Sequence, residues 1–136
     1  MAFDFGTRRI GVAVGERALH MAHPLATISE ETSDRRFAAI GALVDEWKPS
    51  LLIVGLPLYA DGRAHEMTAR AQRFARQLTG RFALPVKLVD ERYSTREAET
   101  ALREAGVRAR EQRAVRDQVA AQRILQDYFD HDSASS

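Results

Sequence analysis

The pattern of apolar and polar residues at the start of the chain predicts antiparallel strands. Residues 2–5 (AFDF) and 10–14 (IGVAV) are two short, mostly apolar segments, and the turn between them begins with Gly6. Two such segments around a glycine-containing turn indicate a β-hairpin. A third short strand is predicted at residues 25–28 (LATI), so the chain is expected to open with a hairpin or a meander.

Farther along the chain, helical patterns alternate with strand patterns. Two apolar runs, residues 50–55 (SLLIVG) and 85–90 (PVKLVD), predict strands, and the first is typical of a strand covered on both faces. Around these runs, apolar residues recur three or four positions apart, which predicts amphipathic helices. The helical stripes contain Phe37, Ile40, Val44 and Trp47, then Met67, Ala71, Phe74 and Leu78, and finally residues 113–129.

Local signals set the expected ends of the helices. The polar residues 32–34 (TSD) offer a cap for the first helix, and Pro49 ends it. Gly80 is the expected C-cap of the second helix. Ser94 begins a capping box (STRE), which predicts a further helix over residues 94–105.

The order of these elements predicts a mixed sheet. Strands joined through helices pair in parallel, whereas the opening hairpin is antiparallel. The predicted fold class is therefore α/β, with a mixed central sheet and helices on both faces. The apolar stripes of the helices, which contain Phe37, Trp47 and Phe74, are expected to pack in the core. A chain of 136 residues fits one domain. We expect that domain to span residues 1–130 and a flexible C-terminal tail to follow at residues 131–136.

Composition narrows the functional classes. With 45% hydrophobic and 29% charged residues, the chain has an ordinary globular composition. The absence of cysteine excludes a disulfide scaffold, a zinc ribbon and thiol catalysis. The longest apolar run, residues 51–58, is far shorter than the roughly 18 residues of a membrane-spanning helix. Because no basic signal-peptide segment opens the chain either, we expect a cytoplasmic protein without membrane contact.

The net charge of +1 conceals an uneven distribution. Residues 63–116 contain 13 Lys or Arg against 7 Asp or Glu, and 18 of the 20 basic residues of the chain are arginine. Arginine is suited to bidentate contacts with phosphate, which favours a polyanionic partner such as nucleic acid. A solvated helical surface, or an arginine content set by genomic base composition, would give the same pattern.

Three acidic positions stand out, either because a carboxylate is energetically unfavourable there or because the position lies where ligands bind. Asp4 interrupts an apolar strand, a position from which Asp is depleted. Glu91 and its neighbour Asp90 come at the carboxyl end of a strand, where α/β sheets bind their ligands. Asp117 shares the apolar face of the last helix with Ile124. It is therefore expected to face inward and to need a partner.

Each acid has a structural interpretation, but together they suggest a metal site. The structural alternatives are a turn cap for Asp4, an ion pair with Arg92 or Arg96 for Glu91, and an ion pair with Arg113 for Asp117. Three carboxylates around one sheet form the oxygen ligand set that Mg²⁺ or Mn²⁺ prefers. Two such ions about 4 Å apart can activate water and stabilise the leaving oxygen in phosphodiester hydrolysis. Spacing alone leaves the choice between Asp90 and Glu91 open.

Four segments of the chain resemble motifs of the YqgF (RuvX) family, in the same order and at suitable spacing. They are residues 4–14 (DFGTRRIGVAV), residues 55–58 (GLPL) with Asp61 and Gly62, residues 90–95 (DERYST) and residues 117–126 (DQVAAQRILQ). With the elements that contain them, they cover nearly the whole chain. The family has the ribonuclease H-like fold, and its members are described as pre-16S rRNA nucleases or as Holliday-junction-resolvase-like proteins.

The resemblance implies a divalent-metal-dependent nuclease that acts in pre-16S rRNA processing during ribosome biogenesis. Asp4, Glu91 and Asp117 match the family's acids, and they are expected to bind Mg²⁺ or Mn²⁺ and to catalyse hydrolysis. Glu91 is preferred to Asp90 because it matches the acid of the family's D-E-R motif. The residues expected to bind substrate, from their positions beside these acids or in the basic segment, are Thr7, Arg8, Arg92, Arg108 and Arg110.

Alternative functions stay open at this point. Structured RNA is the expected substrate and a four-way DNA junction is the alternative, for which a two-fold symmetric substrate would favour a homodimer. A second class is a nucleic-acid-binding factor without catalysis on the same fold. Residues 4–7 (DFGT) also resemble the phosphate loop of the sugar kinase, actin and chaperone ATPase superfamily. Those proteins enclose ATP between two such domains, whereas this chain supplies one.

Overall fold

The computed structural model describes residues 1–6, 8–57, 67–90 and 109–135, except for the side chains of residues 109–114 and 132–135. Within these ranges the chain forms five strands and three helices. The strands are β1 (Ala2–Phe5), β2 (Ile10–Glu16), β3 (Met21–Ile28), β4 (Leu52–Leu56) and β5 (Val86–Asp90). The helices are α1 (Ser33–Trp47), α2 (Thr68–Phe82) and α3 (Ala109–Ser135). These elements confirm the predicted hairpin, the third strand and the alternation of helices and strands.

The five strands form one mixed sheet in the order β3-β2-β1-β4-β5. β1 pairs antiparallel with β2 and parallel with β4, and β4 pairs parallel with β5. The mixed sheet predicted from the order of the elements is thus confirmed. β1 is the central strand, and the carboxyl ends of β1, β4 and β5 lie at the same end of the sheet.

Helices cover both faces of the sheet, as predicted. α1 and α2 pack on one face around a core that includes Phe3, Ile40 and Phe74. α3 packs on the other face around a second core that includes Ala2 and Ile124. Because successive side chains of a strand alternate between faces, the residue that follows Phe3 in β1 faces α3.

Two glycines of β2 allow α3 to lie directly on the sheet. A Cβ atom at Gly11 would overlap the backbone carbonyl of Asp117 and lie 3.0 Å from its Cα. A Cβ atom at Gly15 would lie 2.8 Å from the ring of Phe129 and 3.0 Å from Leu125. A larger residue at Gly11 would push the backbone of α3 outward, whereas one at Gly15 would first meet the Met21 carbonyl of β3 at 2.6 Å and then the two side chains of α3.

α3 also covers β3, the edge strand, through three glutamines spaced about one helical turn apart. The hydrogen bonds run from Gln118 Nε2 to Thr27 Oγ1 (3.2 Å), from Gln122 Nε2 to the Ala22 carbonyl (2.9 Å), from Gln126 Nε2 to the His20 carbonyl (2.8 Å), and from the Ala22 N–H to Gln126 Oε1 (3.3 Å). An uncovered edge strand offers its N–H and C=O groups to other chains. The glutamines occupy such groups at one end of β3.

The ends of α1 follow the sequence signals, but its last residue is not in the core. The Thr32 hydroxyl caps the helix and accepts a hydrogen bond from the N–H of Arg35 at 3.2 Å. Lys48 takes a left-handed conformation (φ 47°) at the other end. Trp47 is 48% exposed, so its prediction as a core residue is wrong. The reason is that the packed face of α1 ends at Val44, and the whole last turn, residues 45–48, is exposed.

α2 continues past its predicted end. It passes through Gly80 and ends at Phe82, with Ala83 as the left-handed cap (φ 53°). The prediction of Gly80 as the C-cap is therefore wrong. The extra residues bring Phe82 against the core, 3.5 Å from where a Cβ atom of Gly41 would lie. This packing outweighs the weak helix propensity of glycine.

α3 is longer than predicted at both ends, since Ala109–Ser135 exceeds residues 113–129. The helix extends through residues 131–135, and no Gly or Pro after Phe129 interrupts it, while the flexibility of the segment stays a prediction. The helix predicted over residues 94–105 lies outside the described ranges. Within those ranges, no helix is long and apolar enough to cross a membrane.

Candidate functional site

Asp4 lies on the face of the sheet that α3 covers. It is half-buried in β1 and follows Phe3, whose ring lies in the core on the opposite face. Its strand partner is Gly11 of β2. Directly paired residues of antiparallel strands have Cα atoms about 4.5–5.5 Å apart and side chains on one face. The carboxylate of Asp4 therefore points toward α3 beside Gly11.

Asp117 reaches the same place from α3. Its backbone lies against Gly11, closer than any side chain at that position would permit. Its side chain is 15% exposed, and the other members of the predicted inward face, such as Ile124 and Tyr128, are buried. Gly11 therefore contacts Asp117 and pairs with Asp4, so the two acids are neighbours although they are far apart in the sequence.

A cation from the hairpin holds the carboxylate of Asp117. Arg9 Nε donates a hydrogen bond to Asp117 Oδ2 at 2.6 Å, and the two side chains are 32% and 15% exposed. The sequence suggested Arg113, one turn earlier on the helix, as an ion-pair partner, and did not identify Arg9. Strand alternation could have identified Arg9 from the sequence. Arg9 precedes Gly11 by two residues and therefore shares its face of the sheet.

Asp90 lies on the face of the sheet opposite the two neighbouring acids. In β5, Val89 packs into the core beneath α3, whereas Leu88 lines a groove beside α2. By the same alternation, Asp90 faces the side of α2. Glu91, the next residue and the preferred third acid, lies outside the described ranges. Asp90 is thus turned away from the candidate site.

Among the predicted substrate contacts, Arg8 has a described side chain, and it is exposed in the hairpin turn. Arg110 lies in the first turn of α3, where only the backbone is described. Thr7, Arg92 and Arg108 are outside the described part of the chain. The structure therefore puts Arg8 at the end of the hairpin that carries Asp4, and the roles of all five residues stay predictions.

The two acids that Gly11 brings together have the chemistry to hold a hard divalent cation. Their oxygen atoms are the ligands that Mg²⁺ and Mn²⁺ prefer, and the guanidinium of Arg9 on Asp117 shows that positive charge is stabilised there. Among the residues that the structure describes, no three acidic or histidine side chains lie together as ligands. A third protein ligand would come from elsewhere in the chain. Glu91 is the candidate, since it directly follows β5, two strands away from β1.

The fold and the site together define the class of protein. A five-stranded mixed sheet in this order, with one acid on the central strand and a second on a helix packed across it, is the ribonuclease H-like arrangement. Within that class, the chain belongs to the RuvX family, described as Holliday junction resolvase, which matches residues 1–131. The family membership and the fold class predicted from the sequence are both confirmed.

Relatives from several bacteria are similar over nearly the whole chain. A protein of Methylobacillus flagellatus is 56% identical over 130 residues, which cover 96% of this chain and 89% of the relative. A protein of Nitrosomonas europaea is 54% identical over 136 residues, which cover 100% and 92%. A protein of Chromobacterium violaceum is 57% identical over 131 residues, which cover 96% of each. All three carry the name "Putative pre-16S rRNA nuclease".

Proposed function

We propose that this protein is a divalent-metal-dependent nuclease that hydrolyses phosphodiester bonds in pre-16S rRNA during ribosome biogenesis. The observation that carries the proposal is the position of Gly11, which is the strand partner of Asp4 and contacts the backbone of Asp117. The names of the relatives support pre-16S rRNA as the substrate. This function implies a cytoplasmic location, as the sequence predicts.

Asp4, Asp117 and Glu91 would hold Mg²⁺ or Mn²⁺ in this proposal. When bound, such an ion would supply activation of water and stabilisation of negative charge on a phosphodiester. The chain itself brings two of the ligands close together, because Gly11 has no side chain and the backbone of α3 at Asp117 packs directly on β2 there. Close packing of this kind favours a site that is organised before substrate binds.

Arg9 has two roles in the proposal. Its guanidinium neutralises Asp117 at 2.6 Å, which offsets the repulsion between neighbouring carboxylates. If Asp117 held a cation, the guanidinium of Arg9 would be released from this carboxylate to bind the substrate. Arginine binds phosphate oxygens through charge-assisted hydrogen bonds. Arg9 therefore joins the predicted substrate contacts, which are Thr7, Arg8, Arg92, Arg108 and Arg110.

Cleavage assays with matched variants test the proposal. Purified protein is incubated with Mn²⁺ or Mg²⁺ and, in parallel, a pre-16S rRNA fragment, single-stranded RNA and a four-way DNA junction. We expect cleavage of the rRNA fragment that is lost in EDTA and in Asp117→Asn. Asp127→Asn, the same change on the same helix at a residue paired with Arg123 (3.5 Å), should cleave like the wild type.

The outcomes separate the candidate functions. Cleavage that persists in EDTA or in Asp117→Asn contradicts the proposal. Preferential cleavage of the four-way junction favours a DNA junction resolvase, the activity that the family description names. A homodimer with two sites would then be expected. RNA binding by the wild type without cleavage in either metal favours a non-catalytic factor.

A further inference from the structure

A basic cleft lies between α1 and α2, on the side of the sheet away from α3. Its volume is about 460 Å³, within the range of roughly 300–1,000 Å³ that small-molecule and cofactor sites occupy. Its charged lining consists of Arg36, Arg70, Arg73 and one acid, Glu31. Positive charge therefore exceeds negative charge, and the cleft forms only in the folded chain, because Arg36 lies on α1 whereas Arg70 and Arg73 lie on α2.

The floor of the cleft is apolar and well packed. Phe74 of α2 stacks on Phe5 of β1 with the ring centroids 4.8 Å apart, and lies 5.8 Å from the ring of Phe37 of α1. Phe37 and Phe74 are buried, whereas Phe5 is half-buried. Guanidinium groups above an apolar floor suit a ligand that combines phosphates with sugar and base surfaces.

Arg36 connects the cleft to the hairpin, and the other two arginines face solvent. The Arg36 guanidinium donates hydrogen bonds to the carbonyl oxygens of Gly6 at 3.3 Å and of Glu30 at 3.0 Å. Arg70 and Arg73 lie one turn apart on α2, and both are exposed. In the part of the chain that the structure describes, neither forms an ion pair with an acid. Their donors are thus accessible to an anionic ligand.

The cleft begins one residue away from the candidate site. Phe5 lines the cleft and directly follows Asp4 in β1, and the Cα atoms of consecutive residues are about 3.8 Å apart. Gly6, which Arg36 contacts, follows the carboxyl end of β1. Because Asp4 and Phe5 face opposite sides of the sheet, a strand of nucleic acid bound at Asp4 would reach the cleft by passing around this end of β1.

We propose that this cleft binds the sugar-phosphate backbone of the RNA strand beside the scissile phosphate, with Arg70 and Arg73 as phosphate ligands. The identity of the ligand as substrate RNA rests on the proposed nuclease function, whereas the preference for an anion rests on the cleft itself. Contacts with phosphate position a strand without selecting its sequence. We therefore expect the cleft to contribute affinity that is strongly dependent on salt.

Fluorescence anisotropy in EDTA, where no cleavage is expected, tests the cleft directly. The probe is a labelled pre-16S rRNA fragment with a single-stranded end. The cleft variant is R70A/R73A, and R70K/R73K keeps the charge. The matched control R76A/R123A removes two arginines outside the cleft, since Arg76 lines the groove beside β5 and Arg123 lies on α3. Thermal melts verify that every variant is folded.

We expect R70A/R73A to weaken RNA binding roughly 10- to 30-fold at about 0.1 M salt, and to reduce the slope of log affinity against log salt by about one to two units. R70K/R73K should retain most of the slope, because lysine keeps the charge. The control should change both quantities much less, and the loss should be similar for RNAs of different sequence.

The same data distinguish this inference from the proposed function. If R70A/R73A binds RNA as the control does, the cleft is not an RNA site and the nuclease proposal is unaffected. If the cleft variant alone binds more weakly but the wild type cleaves no RNA with Mn²⁺, the nuclease proposal is wrong and the cleft assignment stands. Wild-type protein that binds no RNA at all overturns the cleft assignment, and an acidic protein segment then becomes the ligand to test.

Discussion

Gly11 pairs with Asp4 in the hairpin and contacts the backbone of Asp117 on α3. It has no functional group, yet the separation of the two acids depends on its lack of a side chain. Arg9, two residues earlier, supplies the charge that balances Asp117. Both residues lie within the segment that carries the first family motif, so this motif contributes packing and charge to the site as well as a carboxylate.

Gly11→Ala is expected to lower the free energy of unfolding by about 1–3 kcal/mol, because the new methyl group meets backbone atoms that cannot rotate away. Cleavage should also fall, since α3 must move and carry Asp117 with it. Urea denaturation and the cleavage assay measure the two effects.

The matched control is Gly80→Ala, where a Cβ atom meets nothing within 4 Å. It should raise stability by about 0.5–1 kcal/mol. A Gly11→Ala protein with wild-type stability and activity would contradict this account.

Arg9→Ala should have opposite effects on the metal-free protein and on metal binding. Without metal, loss of the Arg9–Asp117 pair should destabilise the fold by about 1 kcal/mol, since the pair is only partly shielded from solvent. Mn²⁺ should bind more tightly, because no guanidinium competes for Oδ2. Thermal melts measure the stability without metal, and calorimetric titration measures the Mn²⁺ affinity.

The control is Arg123→Ala, which removes the 3.5 Å pair with Asp127 and should leave Mn²⁺ affinity unchanged. Weaker Mn²⁺ binding by Arg9→Ala would mean that Arg9 supports the cation site.

At the scale of the elements, the helices and strands that the sequence predicts are those specified by interactions between residues close together in the chain. The glycine at the hairpin turn, the capping hydroxyl of Thr32 and the apolar run of β4 each specify an element through interactions within a few residues. The errors have tertiary causes. α2 continues past Gly80 because Phe82 packs on the core, and Trp47 is exposed because the packed face of α1 ends three residues earlier, at Val44. No local pattern contains that information.

The glutamines of α3 give a prediction at this scale. Gln122→Ala combined with Gln126→Ala removes two hydrogen bonds to Ala22 of β3 and one to His20, which directly precedes the strand. At about 1 kcal/mol for each bond, the free energy of unfolding should fall by roughly 2–3 kcal/mol. Native-state hydrogen exchange should show faster exchange at the N–H of Ala22, while amides of β4 stay protected. Gln72→Ala on α2 is the control. Unchanged exchange at Ala22 would mean that the glutamines do not protect this edge.

At the scale of the whole molecule, the two faces of β1 have different roles in the account. Asp4 faces α3 and the second acid, whereas Phe5 faces the cleft between α1 and α2. The sequence could single out Asp4 and Asp117, because carboxylates in apolar patterns are costly, and their roles in metal binding and catalysis stay predictions. The cleft could not be predicted, because Arg70 and Arg73 have the sequence pattern of a solvated helix face and become a site only when α1 packs beside α2. The role of Glu91 as third acid stays a prediction.

A double-mutant cycle on kcat tests the central claim, that Asp4 and Asp117 act as one catalytic unit. Cleavage of the pre-16S rRNA fragment is measured at saturating Mn²⁺ for Asp4→Asn, Asp117→Asn and the double variant, each verified as folded by thermal melting. Residues that act as a unit are strongly non-additive. We therefore expect each single variant to lose on the order of 10³-fold or more in kcat, and the double variant to lose no more than either. A single variant that cleaves at the wild-type rate, or two small losses that simply add, would contradict the account.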